Sequence, residues 1–217
     1  MSQDLQERWV KIARRYGCSK ATARASFNEV ASRYKQSHRH YHDLSHLDHV
    51  FAHFNEVRYY LHHQDSVALA LFLHDVIYDP QSQTNEEDSA VYADALLRKF
   101  PDIPPYIIQN VKRMILATKT HQFDDQDQDT AYMLDMDLSI LGSDRKTYDT
   151  YCDNIRKEYA HIKDDAAFLT ARRDKMLIPY SERQIYKTTY FQTRFQAKAR
   201  NNMHREIRSI NMRLNKF

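Results

Sequence analysis

Apolar residues recur at helical spacing along almost the whole chain. Val50, Phe54, Val57 and Leu61 follow one another at intervals of 4, 3 and 4, and Ile107, Val111, Ile115 and Thr118 at 4, 4 and 3, the stepping that keeps one face of a 3.6-residue helix apolar. Residues 67–78, VALALFLHDVIY, are apolar nearly all round, which predicts a helix buried at the centre of a bundle. Near the end, Phe195, Ala199, Met203, Ile207, Ile210 and Leu214 form a stripe stepping by 4, 4, 4, 3 and 4, one long amphipathic helix. Breaks are polar or marked by proline: 80–84, 101–105 and the acidic stretch 123–129. Ser45 followed by Asp48 resembles a capping box and sets a helix start near 46, with its end near 62. The pattern predicts nine to eleven helices and no strand: an all-α bundle in a single domain over 1–217, its core at about 38–160 and the helix of 183–217 packed on it.

Composition removes whole classes of function. The chain has two glycines, Gly17 and Gly142, where average usage would place about 15. No glycine-rich phosphate loop and no G-x-S-x-G nucleophile turn can be written with them. Cys18 and Cys152 form no C-x-x-C, so neither a disulfide framework nor a thiolate zinc site is expected. No uncharged run is longer than that of 66–74, which is too short to span a bilayer, and MSQDLQERW carries acids where a secretory leader carries lysines. Both observations predict a cytoplasmic protein with no membrane partner. Charge is uneven: 183–217 holds nine Lys/Arg against Glu206 alone, a net of +8, which leaves −5 for the other residues of a chain whose total is +3. The apolar stripe makes a packed helix with a solvated basic face the preferred reading of this segment, over a dedicated nucleic-acid surface.

Histidine changes the picture most. Eight of the twelve lie between 38 and 63, and a ninth, His74, is followed by Asp75 inside the most apolar segment. An unpaired charge is costly there, so the doublet either forms a local His–Asp hydrogen bond at a helix end or ligates one metal ion. Other candidate ligands occur in similar settings: His46 at a helix start, and two acids in the apolar run 134–141, LDMDLSIL. On a helical wheel Asp137 stands about 70° and Asp135 about 90° from the centre of Leu134, Leu138 and Leu141, which favours Asp137 slightly. His42, His46, His49 and His53 are spaced 4, 3 and 4, but half-exposed histidines explain this better than a comb of ligands. Asp125, Asp127 and Asp129 imitate the start of a calcium loop, yet its sixth position is Thr130 and its twelfth is Met136, so a solvated loop capping the next helix is expected.

At these residues the sequence resembles the HD-domain superfamily of metal-dependent phosphohydrolases, whose signature is a histidine, a His-Asp doublet and a distant aspartate. The match is ordered over about 38–202: RHYHDLSH (39–46), HDVIYDP (74–80), NEEDSA (85–90), DMDLSILG (135–142), IRKEY (155–159), IYKTTYF (185–191) and ARNN (199–202). The resemblance implies an HD-like helical bundle around a central metal site formed by His46, His74, Asp75 and Asp137. It implies hydrolysis of a phosphate ester or anhydride of a small molecule, with a nucleotide among the candidates. Two imidazoles and two carboxylates suit Mn, Fe, Co, Ni or Zn, and one ion per chain is expected, because His121 is the only histidine between the doublet and the last aspartate. His121 itself reads as a second-metal ligand, a phosphate contact or a surface residue. Asp79 or Glu86, in family-like blocks beside the doublet, would assist the attacking water, and Glu86 is preferred. Arg39, His42 and Lys119 are suited to phosphate oxygens. The rival expectation is a non-catalytic, metal-stabilised module that binds nucleotide or RNA through its basic C-terminal helix.

Overall fold

A computed structural model describes residues 2–216. Among them there is no strand, and the all-α class expected of the sequence is what the structure shows. The chain divides into two units at Met136/Asp137.

The first unit holds α1 (Ser2–Arg15), α2 (Lys20–Tyr34), α3 (Leu44–Val57), α4 (Gln64–Leu73), α5 (Asn85–Leu97), α6 (Pro105–Thr118) and nearly all of α7 (Gln128–Asp137). Its centre is α4. Every side chain from Val67 to Leu73 is at most 2% exposed, and α3, α5 and α6 pack around it. Each such aliphatic or aromatic burial is worth about 1.5–3 kcal/mol. Phe72 anchors the aromatic part of this core, with Trp9 edge-on at 5.2 Å and Phe51 at 4.4 Å between ring centroids. Trp9 keeps its indole N–H satisfied by donating to Ser26 Oγ at 2.9 Å.

Two expected boundaries shift. Helix α3 begins at Leu44, its N-cap being Asp43, whose carboxylate accepts from the Ser45 amide at 2.7 Å; the short acid two residues earlier outcompetes the Ser45 box. Helix α4 stops at Leu73 instead of running on to 78. The acidic stretch meets the expectation of a solvated capping loop in part: Asp127 caps the start of α7 through Thr130, at 3.2 Å to its amide and 2.5 Å to its hydroxyl, whereas Asp129 lies inside the helix. Asp129, buried, accepts the amides of His62 and His63 at 2.8 and 2.7 Å and so fixes the entry to α4.

The second unit starts with the 3₁₀ turn Leu138–Gly142 and continues as α8 (Arg145–Glu158), α9 (Asp165–Arg172), a π turn (Arg173–Leu177), α10 (Ile178–Glu182) and α11 (Thr189–Leu214). Helix α11 lies on the 3₁₀ turn: Asn202 Nδ2 donates to the Leu141 and Ser143 carbonyls, each at 3.0 Å. A Cβ on Gly142 would stand 2.7 Å from Phe195 Cβ, so this approach requires glycine. Glu206, the one acid of the basic segment, points inward to Arg172 Nε at 3.0 Å and the Tyr148 hydroxyl at 2.5 Å. None of the described helices is long and apolar enough to cross a membrane.

Trp9→Ala should cost about 3–5 kcal/mol, the usual range for a buried aromatic truncation. Urea unfolding followed by circular dichroism measures it, and a loss below about 1 kcal/mol would show that Trp9 is not part of the central packing.

Candidate metal centre

The termination of α4 creates the site. A helix that ends in the interior leaves its last carbonyls to be satisfied by other groups. Here the Ala70 carbonyl receives the His74 amide at 2.9 Å, Leu71 the His74 ring Nδ1 at 2.9 Å, Phe72 the Tyr34 hydroxyl at 2.9 Å and Leu73 the Val76 amide at 3.4 Å. The Asp75 and Val76 carbonyls accept from the Arg39 guanidinium at 2.6 and 3.1 Å, and Ile77 from Ser89 Oγ at 3.2 Å. With side chains holding the turn, residues 74–78 leave the helix while staying largely out of solvent.

At this helix end the side chains of the doublet meet. Consecutive residues of a continuous helix project about 100° apart and do not face each other. Past the end of α4, His74 Nε2 and Asp75 Oδ2 stand 3.0 Å apart. His46, in the first turns of α3, adds its Nε2 at 3.1 Å from His74 Nε2 and 3.7 Å from Asp75 Oδ2. Asp137, the last residue of α7, completes a group in which four ligand atoms all lie within 4.8 Å of one another. His46 and His74 are 2% and 1% exposed.

Two observations test this group against a metal ion. Donors about 2.1 Å from one ion stand about 3.0 Å apart at right angles and about 3.4 Å apart at the tetrahedral angle. The separations of 3.0 and 3.1 Å match such edges, 3.7 Å is slightly longer, and the 4.8 Å span of the group would have to contract around an ion. The second concerns protons. A carbonyl can only accept, so the Leu71 contact places a proton on His74 Nδ1 and leaves Nε2 of the neutral ring as a lone pair. That lone pair faces a carboxylate oxygen 3.0 Å away. A proton on one of the two rings or a cation held among them relieves that opposition, and the four residues could hold a divalent ion.

The wheel misjudged the two acids. Asp135 is fully buried, whereas Asp137 is half-buried; the α-helix ends at Asp137 and the following residues are 3₁₀, so Leu138 and Leu141 do not share its wheel. Asp137 nonetheless is the acid in the group.

The other expected site residues are distributed around this centre. The His42 ring lies 4.2 Å from that of Tyr78 and 6.0 Å from that of His46, centroid to centroid. Glu86 is half-buried in the first turn of α5. Asp79 is exposed, and its carboxylate accepts the Gln81 amide at 2.9 Å; Asn85 brackets its backbone by bonds of 2.9 and 2.8 Å to N and O. Lys119 meets the Glu87 carboxylate and the Gln83 carbonyl, the latter at 2.8 Å. That hydrogen bond holds the Glu87 carboxyl below its ordinary range and raises the Lys119 ammonium. His121, just beyond α6, has φ = +53°, a left-handed conformation at a helix end where glycine is usual. Arg39 differs most from expectation, being buried against backbone carbonyls. Nothing in the sequence pointed to Tyr34, or to Tyr180, whose phenol is raised by burial, with the Asp137 charge adding to it and Arg183 opposing. No protein-family model, no curated protein and no solved structure matches the chain.

Chelator-treated protein should take up Co²⁺ at about one ion per chain, and His74→Ala and Asp137→Ala should each weaken uptake beyond the roughly 10–100-fold that outer-sphere partners cost. Equilibrium dialysis with elemental analysis reads both; affinities equal to the wild type would remove this group as a metal site.

Proposed function

We propose that the protein is a metal-dependent phosphohydrolase of the HD-domain type, acting on a phosphate ester or anhydride of a small molecule. The observation that carries the reading is the donor set itself: two imidazoles and two carboxylates, drawn from two helices and the turn after α4, with ligand atoms within 4.8 Å of one another. The all-helical scaffold is the kind this reading expects, and an HD-like bundle is part of the proposal. Mn, Fe, Co, Ni and Zn all suit this mixed nitrogen and oxygen set.

In this reading His46, His74, Asp75 and Asp137 hold one divalent ion. When bound, it supplies Lewis acidity toward phosphoryl oxygens and makes hydroxide accessible near neutral pH. The rest falls to the chain. The Leu71 carbonyl, bonded to His74 Nδ1 at 2.9 Å, keeps the ring turned with Nε2 toward the site. The Glu86 carboxylate takes the proton from the attacking water. Arg39 and Lys119 bind backbone carbonyls, and His42 and His121 carry ring nitrogens suited to phosphate oxygens in this reading.

A panel of nucleotides and phosphomonoesters assayed with Mn²⁺, Co²⁺ or Ni²⁺ tests the proposal. Turnover should appear with added metal and vanish in Asp75→Ala, while Glu86→Gln should keep its metal content and lose about 10²–10⁴ in kcat. Full metal occupancy without turnover on any phosphate would overturn it.

A further inference from the structure

We propose that Arg39, seconded by Tyr34, is a positioning residue that presets the geometry at which His46, His74 and Asp75 meet a metal ion; this rests on the metal reading above. Arg39 is 5% exposed. Burying a guanidinium is unfavourable unless its donors are matched, and here they are matched by backbone from both segments that deliver ligands. One terminal nitrogen donates to the His42 carbonyl at 3.0 Å, two residues before α3 and its His46, and to the Asp75 carbonyl at 2.6 Å. The other donates to Val76 at 3.1 Å, and Nε to the Gln36 side chain at 3.2 Å.

The guanidinium is held within 5.1 and 5.4 Å of the Tyr34 and Tyr78 ring centroids, where cation–π attraction offsets part of its desolvation. Tyr34 adds a second tie to the same helix end through its hydroxyl, 2.9 Å from the Phe72 carbonyl. The result is a clamp across 33 residues of chain, from His42 to Asp75. A planar fork can donate in several fixed directions at once; a lysine ammonium on a flexible stem cannot reproduce them. Arg39 makes no ligand bond of its own in this scheme. It acts through the carbonyls that orient the ligand-bearing backbone, so its removal loosens the ligands without deleting one.

Co²⁺ titration of the chelator-treated full chain tests this, reading the dissociation constant and the visible absorption of the bound ion alongside metal-free thermal stability. Arg39→Lys should bind Co²⁺ about 10–100-fold more weakly, the range for outer partners of metal ligands, with an altered absorption band. Tyr34→Phe, which removes one hydroxyl, should weaken binding in the same direction by up to about tenfold. Trp9→Phe, which removes none of the clamp's hydrogen bonds although Trp9 packs on Phe72, serves as a destabilised comparison, and should lower thermal stability while leaving Co²⁺ affinity within about twofold.

Wild-type affinity and an unchanged spectrum in both clamp variants would overturn the proposal. So would an equal loss of affinity in Trp9→Phe, because the effect would then follow global stability. If Arg39→Lys does not fold, Tyr34→Phe decides alone: weaker binding supports the clamp and unchanged binding overturns it. Failure of the wild type to take up Co²⁺ overturns the metal reading and this inference with it, an outcome distinct from normal uptake by all variants.

Discussion

A helix that ends inside a protein must hand its last carbonyls to other donors, and the end of α4 is organised by that requirement. Each carbonyl left bare would cost about 1–3 kcal/mol. Tyr34, Arg39, the His74 ring and Ser89 supply donors that a longer helix would have supplied from its own amides. The same donors hold the turn that carries His74 and Asp75, whose side chains meet at 3.0 Å. Satisfying the backbone and assembling the donor set are therefore one structural event. The loop beyond is held in the same manner, by Asn85 on Asp79 and Ser89 on Ile77, which ties the start of α5 to the end of α4.

Electrostatics favour a cation at this place. The C-terminal end of a helix carries partial negative charge. The doublet sits at the end of α4 and Asp137 at the end of α7, so two such ends add to two carboxylates. A phosphate by itself would be repelled there. A divalent ion reverses the sign of the local potential and gives an anion something to meet. The cationic side chains nearby are differently engaged: Arg39 neutralises carbonyl dipoles, and Lys119 is paired with Glu87.

Periodicity made most of the helices readable, because burial of one face leaves its 3.6-residue trace in any sequence. The same logic exposed His46, His74, Asp75 and the acids of 134–141 as polar residues in apolar company. It could not show where α4 stops, since the apolar run continues past Leu73 and the stop is imposed by side chains distant in sequence. Arg39 illustrates the limit: a cation beside histidines suggests phosphate, and only three dimensions reveal three carbonyls around it. The wheel failed at Asp135 and Asp137 for a related reason, as it assumed one continuous helix where an α-helix gives way to 3₁₀. Asp43 was passed over as a cap because Ser45 and Asp48 offered a more familiar pattern; the shorter reach of Asp43 to the Ser45 amide prevailed.

The early termination of α4 also sets a boundary for protein engineering. Residues 74–78 are a natural target for stabilisation, because helix-favouring substitutions there would extend the most deeply buried helix of the unit and complete its own hydrogen-bond ladder. Such a variant would release Arg39 and Tyr34 from the carbonyls they now serve and move the backbone that carries Asp75. Greater resistance to unfolding would thus come together with a dispersed donor set. Helix stability and the present placement of the four donors pull this one turn of chain in opposite directions.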